Sequence, residues 1–210
     1  IGCVATSTAR QPATTSGTNA QTSLVPPAPT REFRGLWVAT VANIDWPSSP
    51  DLSTDKQKAE ALTILDNAKA ANFPAIVLQI RAPRDALHPS SRAGQSGRPP
   101  SPLYDPLEFW VAEAHKRGLE LHAWFNPFRA HHFQAKKPVA PSHISVTRKD
   151  LVRTYGEYLW LDPGEPAAQD LSISVVLDVV KRYNIDGIHF DDYFYPYPKD
   201  KLPFPDDTSY

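Results

Sequence analysis

Residues 185–198, IDGIHFDDYFYPYP, begin as a short apolar run, reach two adjacent acids at Asp191 and Asp192, and continue as a loop rich in proline and tyrosine. A short apolar run bounded by turn residues is typical of a buried strand in a parallel sheet. Ligands and catalysis in parallel α/β folds are found at the carboxyl ends of the strands. The stretch therefore predicts a strand that presents acidic groups to a ligand.

Upstream of this stretch, strand-like and helix-like segments alternate. Apolar, β-branched and aromatic runs predict strands at 33–41, 73–81 and 119–126, with one further short strand at 157–161. Apolar residues at helical spacing, or capping residues, predict helices at 54–71, 105–117 and 167–182. Thr54 is the predicted N-cap of the first helix. This alternation predicts a parallel sheet with right-handed crossovers.

Two parallel architectures are compatible with that order. A doubly wound sheet normally carries a glycine-rich phosphate-binding turn after its first strand, and this sequence has none there. A (β/α)8 barrel fits better, although a typical barrel needs about 250 residues and only four βα units are recognisable. We therefore predict an α/β fold that is the N-terminal half of a (β/α)8 barrel over residues 31–210, incomplete at its C-terminus.

The composition excludes several classes of protein. The 210 residues are 41% hydrophobic and 21% charged, as in an ordinary globular domain. A formal net charge of −1 offers no electrostatic basis for binding nucleic acid. No apolar run approaches the roughly 18 residues of a membrane-spanning helix. Any contact with a membrane is expected only through a lipid anchor.

The N-terminal residues suggest such an anchor. Cys3, the single cysteine, follows Ile1 and Gly2, which is similar to the end of a bacterial lipobox. Cys3 is thus either a lipidation site or a stray thiol. Residues 1–30 are rich in threonine, serine, alanine and proline and predict a disordered tether. The chain opens without an initiator methionine, so we expect a processed or excerpted polypeptide of the bacterial cell envelope, periplasmic or extracellular.

Strand parity sorts the side chains into two faces. Ile188 and Phe190 are expected to pack under the helices, and Asp191 to face the barrel mouth. The inward set is Trp37, Gln79, Arg81, His122, Trp124, Asn126, His189 and Asp191. Barrel cores are usually dominated by valine, isoleucine and leucine, so a set this polar favours a ligand site. Hydroxyl-binding groups beside indole rings suit a sugar.

Structural interpretations remain open for some of these residues. Asp191 and Asp192 could cap the following loop and pair with Arg81. The tyrosines of residues 193–197 could form a stacking platform for the substrate or a rigid lid. The adjacent His131 and His132 have no partner at a recognised zinc spacing, so we predict no metal and no cofactor.

Four segments carry a resemblance to a known family. They are FRGLWVATVANIDWP (33–47), AIVLQIRAPRDALHPS (75–90), SPLYDPLEFWVAEAHKRGLELHAWFNPFRA (101–130) and the opening stretch. Together they closely resemble the bacterial glycosyl hydrolase-like family ten. Its members are envelope or secreted (β/α)8 proteins, often lipoproteins, that are regarded as hydrolases of cell-wall or other glycans. The resemblance implies a polysaccharide substrate, with peptidoglycan glycan strands as the expected one.

The resemblance also implies site residues, position by position. It implies catalytic roles for Asp191 and Asp192. It implies substrate-binding roles for Arg34, Trp37, Asp45, Trp46, Arg81, Asp85, His122, Trp124, Asn126, Arg129, His189 and Tyr193. The last strand is also similar to the corresponding strand of the alpha-amylase superfamily, in which a polar residue stands two positions before the nucleophilic aspartate, as His189 does here.

The sequence departs from the family pattern in its loop after the second strand, which is shorter and lacks a tryptophan-containing insertion. The leading hypothesis is a glycoside hydrolase in which Asp191 is the nucleophile or acid/base and Asp192 tunes it by like-charge proximity. A second hypothesis is a glycan-binding envelope protein without turnover. A third is an inactive barrel fragment that aggregates or dimerises because its sheet edges are open.

Overall fold

A computed structural model describes residues 32–82, 85–86, 104–131, 141 and 143–209. Its elements are, in chain order, β1 (Gly35–Val38), α1 (Thr54–Ala70), β2 (Ala75–Ala82), β3 (Asp85–Ala86), α2 (Pro106–Lys116), β4 (Glu120–Phe125), β5 (Arg129–His131), α3 (Ile144–Thr147), β6 (Val152–Tyr155), β7 (Tyr158–Leu161), α4 (Pro166–Arg182) and β8 (Gly187–Phe190). The predicted tether with Cys3, the loop at 87–103 and His132 lie outside the described residues.

The four strands β1, β2, β4 and β8 form one parallel sheet in that order, here called the parallel sheet. Successive strands along the chain are neighbours in space, and a helix precedes β2, β4 and β8. This is the arrangement of half of a (β/α)8 barrel, as predicted. The first strand is shorter than predicted, because the chain leaves it in a 3-10 turn at Val41–Asn43.

The core lies between the parallel sheet and its helices. Residues of one strand face are buried there together with apolar residues of α1, α2 and α4. They include Ile76, Leu78, Ile80, Leu121, Ala123 and Phe125 from the sheet, and Leu65, Trp110 and Val175 from the helices. Each buried aliphatic or aromatic side chain contributes about 1.5–3 kcal/mol by leaving water. Strand parity is therefore confirmed for β2 and β4.

The helix ends follow their capping residues. At α2, Asp105 Oδ1 accepts hydrogen bonds from the backbone N–H groups of Leu107 and Glu108, at 3.0 and 3.2 Å. Pro106 occupies the first helical position, where a missing N–H costs nothing. At α1 the prediction is wrong by one residue: Ser53 caps the helix, and Thr54 is its first residue.

A second sheet, here called the small sheet, is antiparallel and has the order β5-β7-β6. The sequence predicts only its middle strand, at 157–161. A separate apolar cluster fills the space beneath it and includes Phe128, Leu151, Trp160 and Ala168. The small sheet thus has a core of its own, next to the carboxyl ends of the parallel strands.

The chain after β8, residues 191–209, is bound to the small sheet by long-range hydrogen bonds. Trp160 Nε1 donates to the carbonyl oxygen of Phe194 at 2.9 Å, and Tyr155 Oη donates to that of Leu202 at 2.8 Å. Farther along, the Ser209 hydroxyl donates to the buried carboxylate of Asp162 at 2.8 Å. A Cβ at Gly164 would lie 2.7 Å from the Ser209 carbonyl oxygen, so only glycine fits there.

The outer face of β8 corrects one prediction. Ile188 and Phe190 are 46% and 38% exposed instead of lying under helices. They line an apolar groove with Ile173 and Leu177 of α4, which are exposed as well. Among the described strands, β8 pairs only with β4, so its other edge carries no strand. In the part of the chain that the structure describes, no helix has the length and apolarity to cross a bilayer.

Candidate active site

A cleft of about 500 Å³ opens between the carboxyl ends of the parallel strands and the small sheet. Its lining combines aromatic rings, amides, two cations and an acid. The lining residues are Val41, Ala42, Ile44, Gln79, Trp124, Asn126, Arg129, Tyr158, Trp160, Asp191, Tyr193, Pro196, Tyr197 and Lys199. A concave site of this composition suits a polyhydroxylated ligand with apolar ring faces.

Three donors fix the carboxylate of Asp191. Trp124 Nε1 donates to Oδ2 at 3.0 Å, and Asn126 Nδ2 donates to the same oxygen. The backbone N–H of Tyr193 donates to Oδ1 at 3.1 Å. Asp191 directly follows β8, while Trp124 and Asn126 belong to β4 and to the residue after it. The rigid parallel strands thus hold this acid in one orientation at the cleft.

A buried amide supports Asn126 from the neighbouring strand. Gln79 Nε2 donates to Asn126 Oδ1 at 2.6 Å. Gln79 Oε1 accepts from the backbone N–H groups of Thr40 and Val41, both at 2.9 Å. Gln79 and Asn126 are almost fully buried. A continuous polar chain therefore runs from the loop after β1, through β2 and β4, to the acid at the end of β8.

Gln79 is a site residue that the family resemblance does not supply, although strand parity places it in the inward set. Its signal is a single amide in an otherwise apolar strand. An amide in a parallel strand requires polar partners, and here they are Asn126 and the backbone after β1.

An aromatic group extends from the cleft along the inward face of the parallel sheet. The Trp37 ring centroid lies 4.8 Å from that of Trp124 and 4.7 Å from that of His189. Trp37 is 51% exposed. His189 Nε2 is buried and has no hydrogen-bond partner among the described residues. Trp37 and His189 therefore adjoin the cleft through Trp124, while Trp124 itself lines it.

The small sheet contributes the opposite wall. The Arg129 guanidinium carbon lies 4.6 Å from the Tyr193 ring centroid and 5.4 Å from that of Trp160. Burial lowers the pKa of Arg129 from its ordinary value, and the charge of Asp191 acts in the opposite direction. Tyr158 and Trp160 also line this wall. The sequence predicts their strand but indicates neither as a site residue, because the pairing that brings this strand to Arg129 joins residues far apart in the chain.

Asp192 is separated from this arrangement although it is adjacent to Asp191 in sequence. Its side chain is exposed and accepts a hydrogen bond from Tyr197 Oη at 3.0 Å. That hydrogen bond raises the pKa of Tyr197 to about 12. Asp192 does not belong to the described lining of the cleft. The structure therefore places one of the two predicted acids in the cleft and the other outside it.

Of the tyrosines that follow, Tyr193 and Tyr197 line the cleft, with ring centroids 4.7 Å apart. Tyr195 instead donates its hydroxyl to Asp206 at 3.0 Å. Two members of the series can therefore contact a ligand, while the third anchors the segment.

Two predicted binding residues make contacts within the fold: Trp46 is corrected to a core residue, whereas the binding role of the exposed Asp45 stays a prediction. Trp46 is 1% exposed, lies edge-on to Trp110 with ring centroids 5.3 Å apart, and donates Nε1 to the Gln57 carbonyl oxygen at 2.9 Å. Asp45 accepts the backbone N–H of Ala39 at 2.7 Å and thereby closes the turn after β1. The sequence alone does not distinguish an aromatic or acidic loop residue that binds a ligand from one that packs in the core or closes a turn.

Two further predicted residues lie toward the wrong end of the sheet. Arg34 precedes β1, at the amino end, opposite to the cleft. His122 is in register with Gly187, and a Cβ at that glycine would lie 2.6 Å from the His122 ring. His122 Nε2 is 2.9 Å from Glu120 Oε2, so its polar atom is already engaged. Neither residue belongs to the described lining of the cleft, and their substrate-binding roles stay predictions.

Arg81 and Asp85 are described only through their backbones, which pair in β2 and β3. Their side chains lie outside the described part of the structure, and their binding roles stay predictions. Within the described ranges, no group of three or more histidine, cysteine, aspartate or glutamate residues could hold a metal ion.

Comparison with known proteins confirms the resemblance that the four segments indicate. The family described as "Glycosyl hydrolase-like 10" matches residues 32–210. "Glycosyl hydrolase YngK" of Bacillus subtilis (strain 168) is 41% identical over 189 residues, which cover 86% of this chain and 36% of that protein. "Glycosyl hydrolase DigH" of Escherichia coli (strain K12) is 36% identical over 197 residues, which cover 81% of this chain and 44% of that protein.

The chain thus spans less than half the length of these two relatives. Among solved structures, an alpha-galactosidase from Lactobacillus brevis aligns with a TM-score of 0.47 and 17% identity, over 76% of this chain and 20% of that chain.

Proposed function

This chain belongs to the glycosyl hydrolase-like 10 family, and from that membership we propose that the protein is a glycoside hydrolase acting on a cell-envelope polysaccharide. The observation that carries the proposal is the fixed carboxylate of Asp191 in an open, aromatic-lined cleft. Hydrolysis of a glycosidic bond needs a carboxyl group held beside the anomeric carbon or the leaving oxygen. We propose that Asp191 is that group.

The donors around Asp191 suit it to act as a nucleophile or as an acid/base. Trp124, Asn126 and the backbone of Tyr193 restrict its rotation, so little reorganisation is needed as charge changes during reaction. Holding a reacting group in a single geometry lowers the entropic part of the barrier. The buried Gln79 keeps Asn126 in position for the same purpose.

A glycosidase normally uses two carboxyl groups, separated by about 5–5.5 Å when it retains configuration and about 6.5–9.5 Å when it inverts. Among the described residues that line the cleft, Asp191 is the only acid. We therefore assign the second carboxyl group to a residue outside this set. In this proposal Asp192 orders Tyr197 and does not exchange a proton with the substrate.

The aromatic rings of the cleft define the sugar-binding surface. Trp124, Tyr193 and Tyr197 contribute their side chains to its lining. Apolar faces of pyranose rings pack on such rings, while amide and hydroxyl groups bind the sugar hydroxyls.

We further propose peptidoglycan glycan strands as the substrate and the bacterial cell envelope as the location. The support is the lipobox-like context of Cys3 and the polar composition of the predicted tether at 1–30. A lipid anchor followed by a flexible tether would let the domain reach glycan strands from a membrane surface.

The test compares two substitutions of adjacent acids in the full-length protein. Asp191→Asn should lower the release of reducing ends from peptide-free glycan strands by at least about 10²- to 10⁴-fold. Asp192→Asn is the matched control and should lower it by less than about tenfold, because its side chain is exposed. An unchanged rate with Asp191→Asn would remove that residue from the mechanism.

A second candidate function is glycan binding without turnover. It is favoured by the single acid among the described cleft residues. Retention of the full-length protein on immobilised glycan strands, with no release of reducing ends over prolonged incubation, would support it. Measurable turnover that depends on Asp191 would eliminate it.

A further inference from the structure

Arg129 is a partly buried cation that forms no direct ion pair with a described residue, although the charge of Asp191 acts on it. None of the ion pairs found in the described part of the chain includes it. Its Nε atom is buried and has no hydrogen-bond partner there. Arg153 of the small sheet, by contrast, lies 2.9 Å from the buried Asp162. A partly buried cation without a direct ion pair is stabilised when a ligand supplies one.

The position of Arg129 indicates that a ligand in the cleft would supply its counter-ion. Arg129 forms part of the lining, on the wall opposite to the parallel sheet. Its guanidinium lies against the rings of Tyr193 and Trp160, which restrict its movement. A planar guanidinium held in this way is suited to bind a carboxylate through two parallel hydrogen bonds. Lys199 adds a second cation to the same lining.

Asp191 does not fully compensate the charge of Arg129. The two groups interact electrostatically, but the described ion pairs, which extend to 4.0 Å, do not include them as a pair. The oxygens of Asp191 are instead occupied by Trp124, Asn126 and the backbone of Tyr193. Arg129 therefore remains available to a group on the ligand.

We propose that Arg129 recognises a carboxylate substituent on the sugar chain and so makes this a site for acidic glycans. The inference rests on the proposed function, because it assigns a feature of the same substrate. Two sources carry the required chemistry: a carboxylate on an ether-linked substituent, as in the glycan strands of peptidoglycan, and the ring carboxylate of a uronic acid. Arg129 is a specificity-determining residue in this scheme and takes no part in bond cleavage.

The experiment measures binding to carboxylated glycans and to the same glycans after reduction of their carboxyl groups to primary alcohols. The measurement uses full-length protein that carries Asp191→Asn, so that no turnover occurs during binding. Reduction should weaken binding by about 10- to 100-fold for one of the two carboxylate sources, as expected for loss of a charge-assisted contact. Peptide-free peptidoglycan strands and oligouronates are the two arms, and the arm that loses affinity identifies the source.

Arg129→Gln in the same background should abolish this difference, leaving less than about a twofold effect of reduction. Arg129→Lys should restore part of it, because the charge returns without the planar geometry. Arg148→Gln is the matched control: this exposed arginine pairs with Asp150 at 2.7 Å and does not line the cleft. It should leave the difference unchanged.

Three outcomes overturn the proposal. Equal binding of intact and reduced glycans by protein that retains Arg129 would mean that the site does not recognise a carboxylate. Turnover by the parent enzyme would in that case still support the proposed function. An equal loss of affinity for both forms on Arg129→Gln would show that Arg129 only maintains the cleft. Failure to bind either glycan or to release reducing ends from either would reject both the inference and the proposed function.

Discussion

The parallel sheet and the small sheet form the two walls of one cleft, but they are stabilised differently. The parallel sheet lies on three helices and buries a continuous run of side chains, Ala75–Ile80, in its second strand. The small sheet has strands of three or four residues and is held by contacts with the chain after β8. The acid is thus mounted on the more extensively packed wall, and Arg129 on the smaller one.

This difference suggests a division of roles. Groups that take part in chemistry need a narrowly defined geometry, which the parallel strands supply to Asp191. Groups that recognise a substituent tolerate more variation and lie on elements that can differ without disturbing the barrel. Substitutions in the two walls should therefore have separable effects on stability and on turnover.

Trp160→Ala should separate the stability of the two walls. The side chain is 1% exposed and donates a hydrogen bond to Phe194, so its loss should cost about 3–5 kcal/mol. Amide hydrogen exchange should then show loss of protection in β5 and β7 with retained protection in β2. Trp37→Ala, at a half-exposed tryptophan, is the comparison variant and should leave the small sheet protected. Equal loss of protection in both sheets would show that the walls are one cooperative unit.

Asn126→Ala, a substitution at the end of the parallel sheet, should lower the rate of turnover. It removes a donor to Asp191 and leaves the buried Nε2 of Gln79 without its partner. We expect turnover of glycan strands to fall about 10²-fold, with an additional loss of about 1–3 kcal/mol in the free energy of unfolding. Steady-state kinetics and urea titration measure the two effects. Gln169→Ala, at an exposed amide, should change neither, and a similar loss there would point to a general effect on folding.

The open face of β8 should make the polypeptide 1–210 associate in solution. Ile188 and Phe190 are exposed there beside a strand edge that pairs with no other described strand, a combination that favours edge-to-edge or hydrophobic association. Sedimentation velocity should show dimers or aggregates, and Ile188→Lys should raise the monomer fraction several-fold. Val146→Lys, at an exposed apolar residue of α3, should have less effect. A monomeric polypeptide that melts cooperatively would contradict the prediction.

Asp186 joins α2 to the start of β4 through His115 and the backbone of Leu121, and its contribution to stability should be small. Burial raises its pKa, but hydrogen bonds from the Leu121 backbone and from His115 outweigh burial and hold the pKa below its ordinary value. A depressed folded-state pKa stabilises the protein above the unfolded value of about 3.9, and this stabilisation is lost as the pH falls through the folded value. Asp186→Asn should therefore reduce the acid dependence of stability by less than about 1 kcal/mol.

Urea unfolding between pH 5 and pH 2 measures that dependence. Asp178→Asn is the control, because Asp178 forms only a longer, 3.4 Å contact with Arg182. Identical acid slopes for the parent and Asp186→Asn would show that the hydrogen bonds of Asp186 do not stabilise the fold.

The parallel sheet could be predicted because its strands are continuous apolar runs separated by helices with clear caps. Parity along those strands also separated Asp191 from Asp192 and included Gln79. The same reasoning misplaced Ile188 and Phe190, since parity defines a face but not whether another element covers it. The strand order of the parallel sheet and the residues of its inward face were therefore predictable, whereas the exposure of its outer face was not.

Apart from its middle strand, the small sheet could not be predicted, for a different reason. Its strands are too short to show periodicity, and the pairing of β5 with β7 joins residues that are far apart in the chain, such as Arg129 and Trp160. Resemblance named Arg129 without indicating its surroundings. Trp46 shows the converse error, because a tryptophan near a strand end fits a sugar site and a core equally well until its burial is known.

The close approach of Gly164 to Ser209 has a consequence for natural variation in this family. Any side chain at residue 164 would displace the backbone 45 positions later and strain the hydrogen bond from Ser209 to Asp162. Relatives that replace this glycine should therefore carry compensating insertions or deletions near residue 209. Paired changes at these two positions among relatives would show that the contact between residues 164 and 209 is maintained because it holds the small sheet in place.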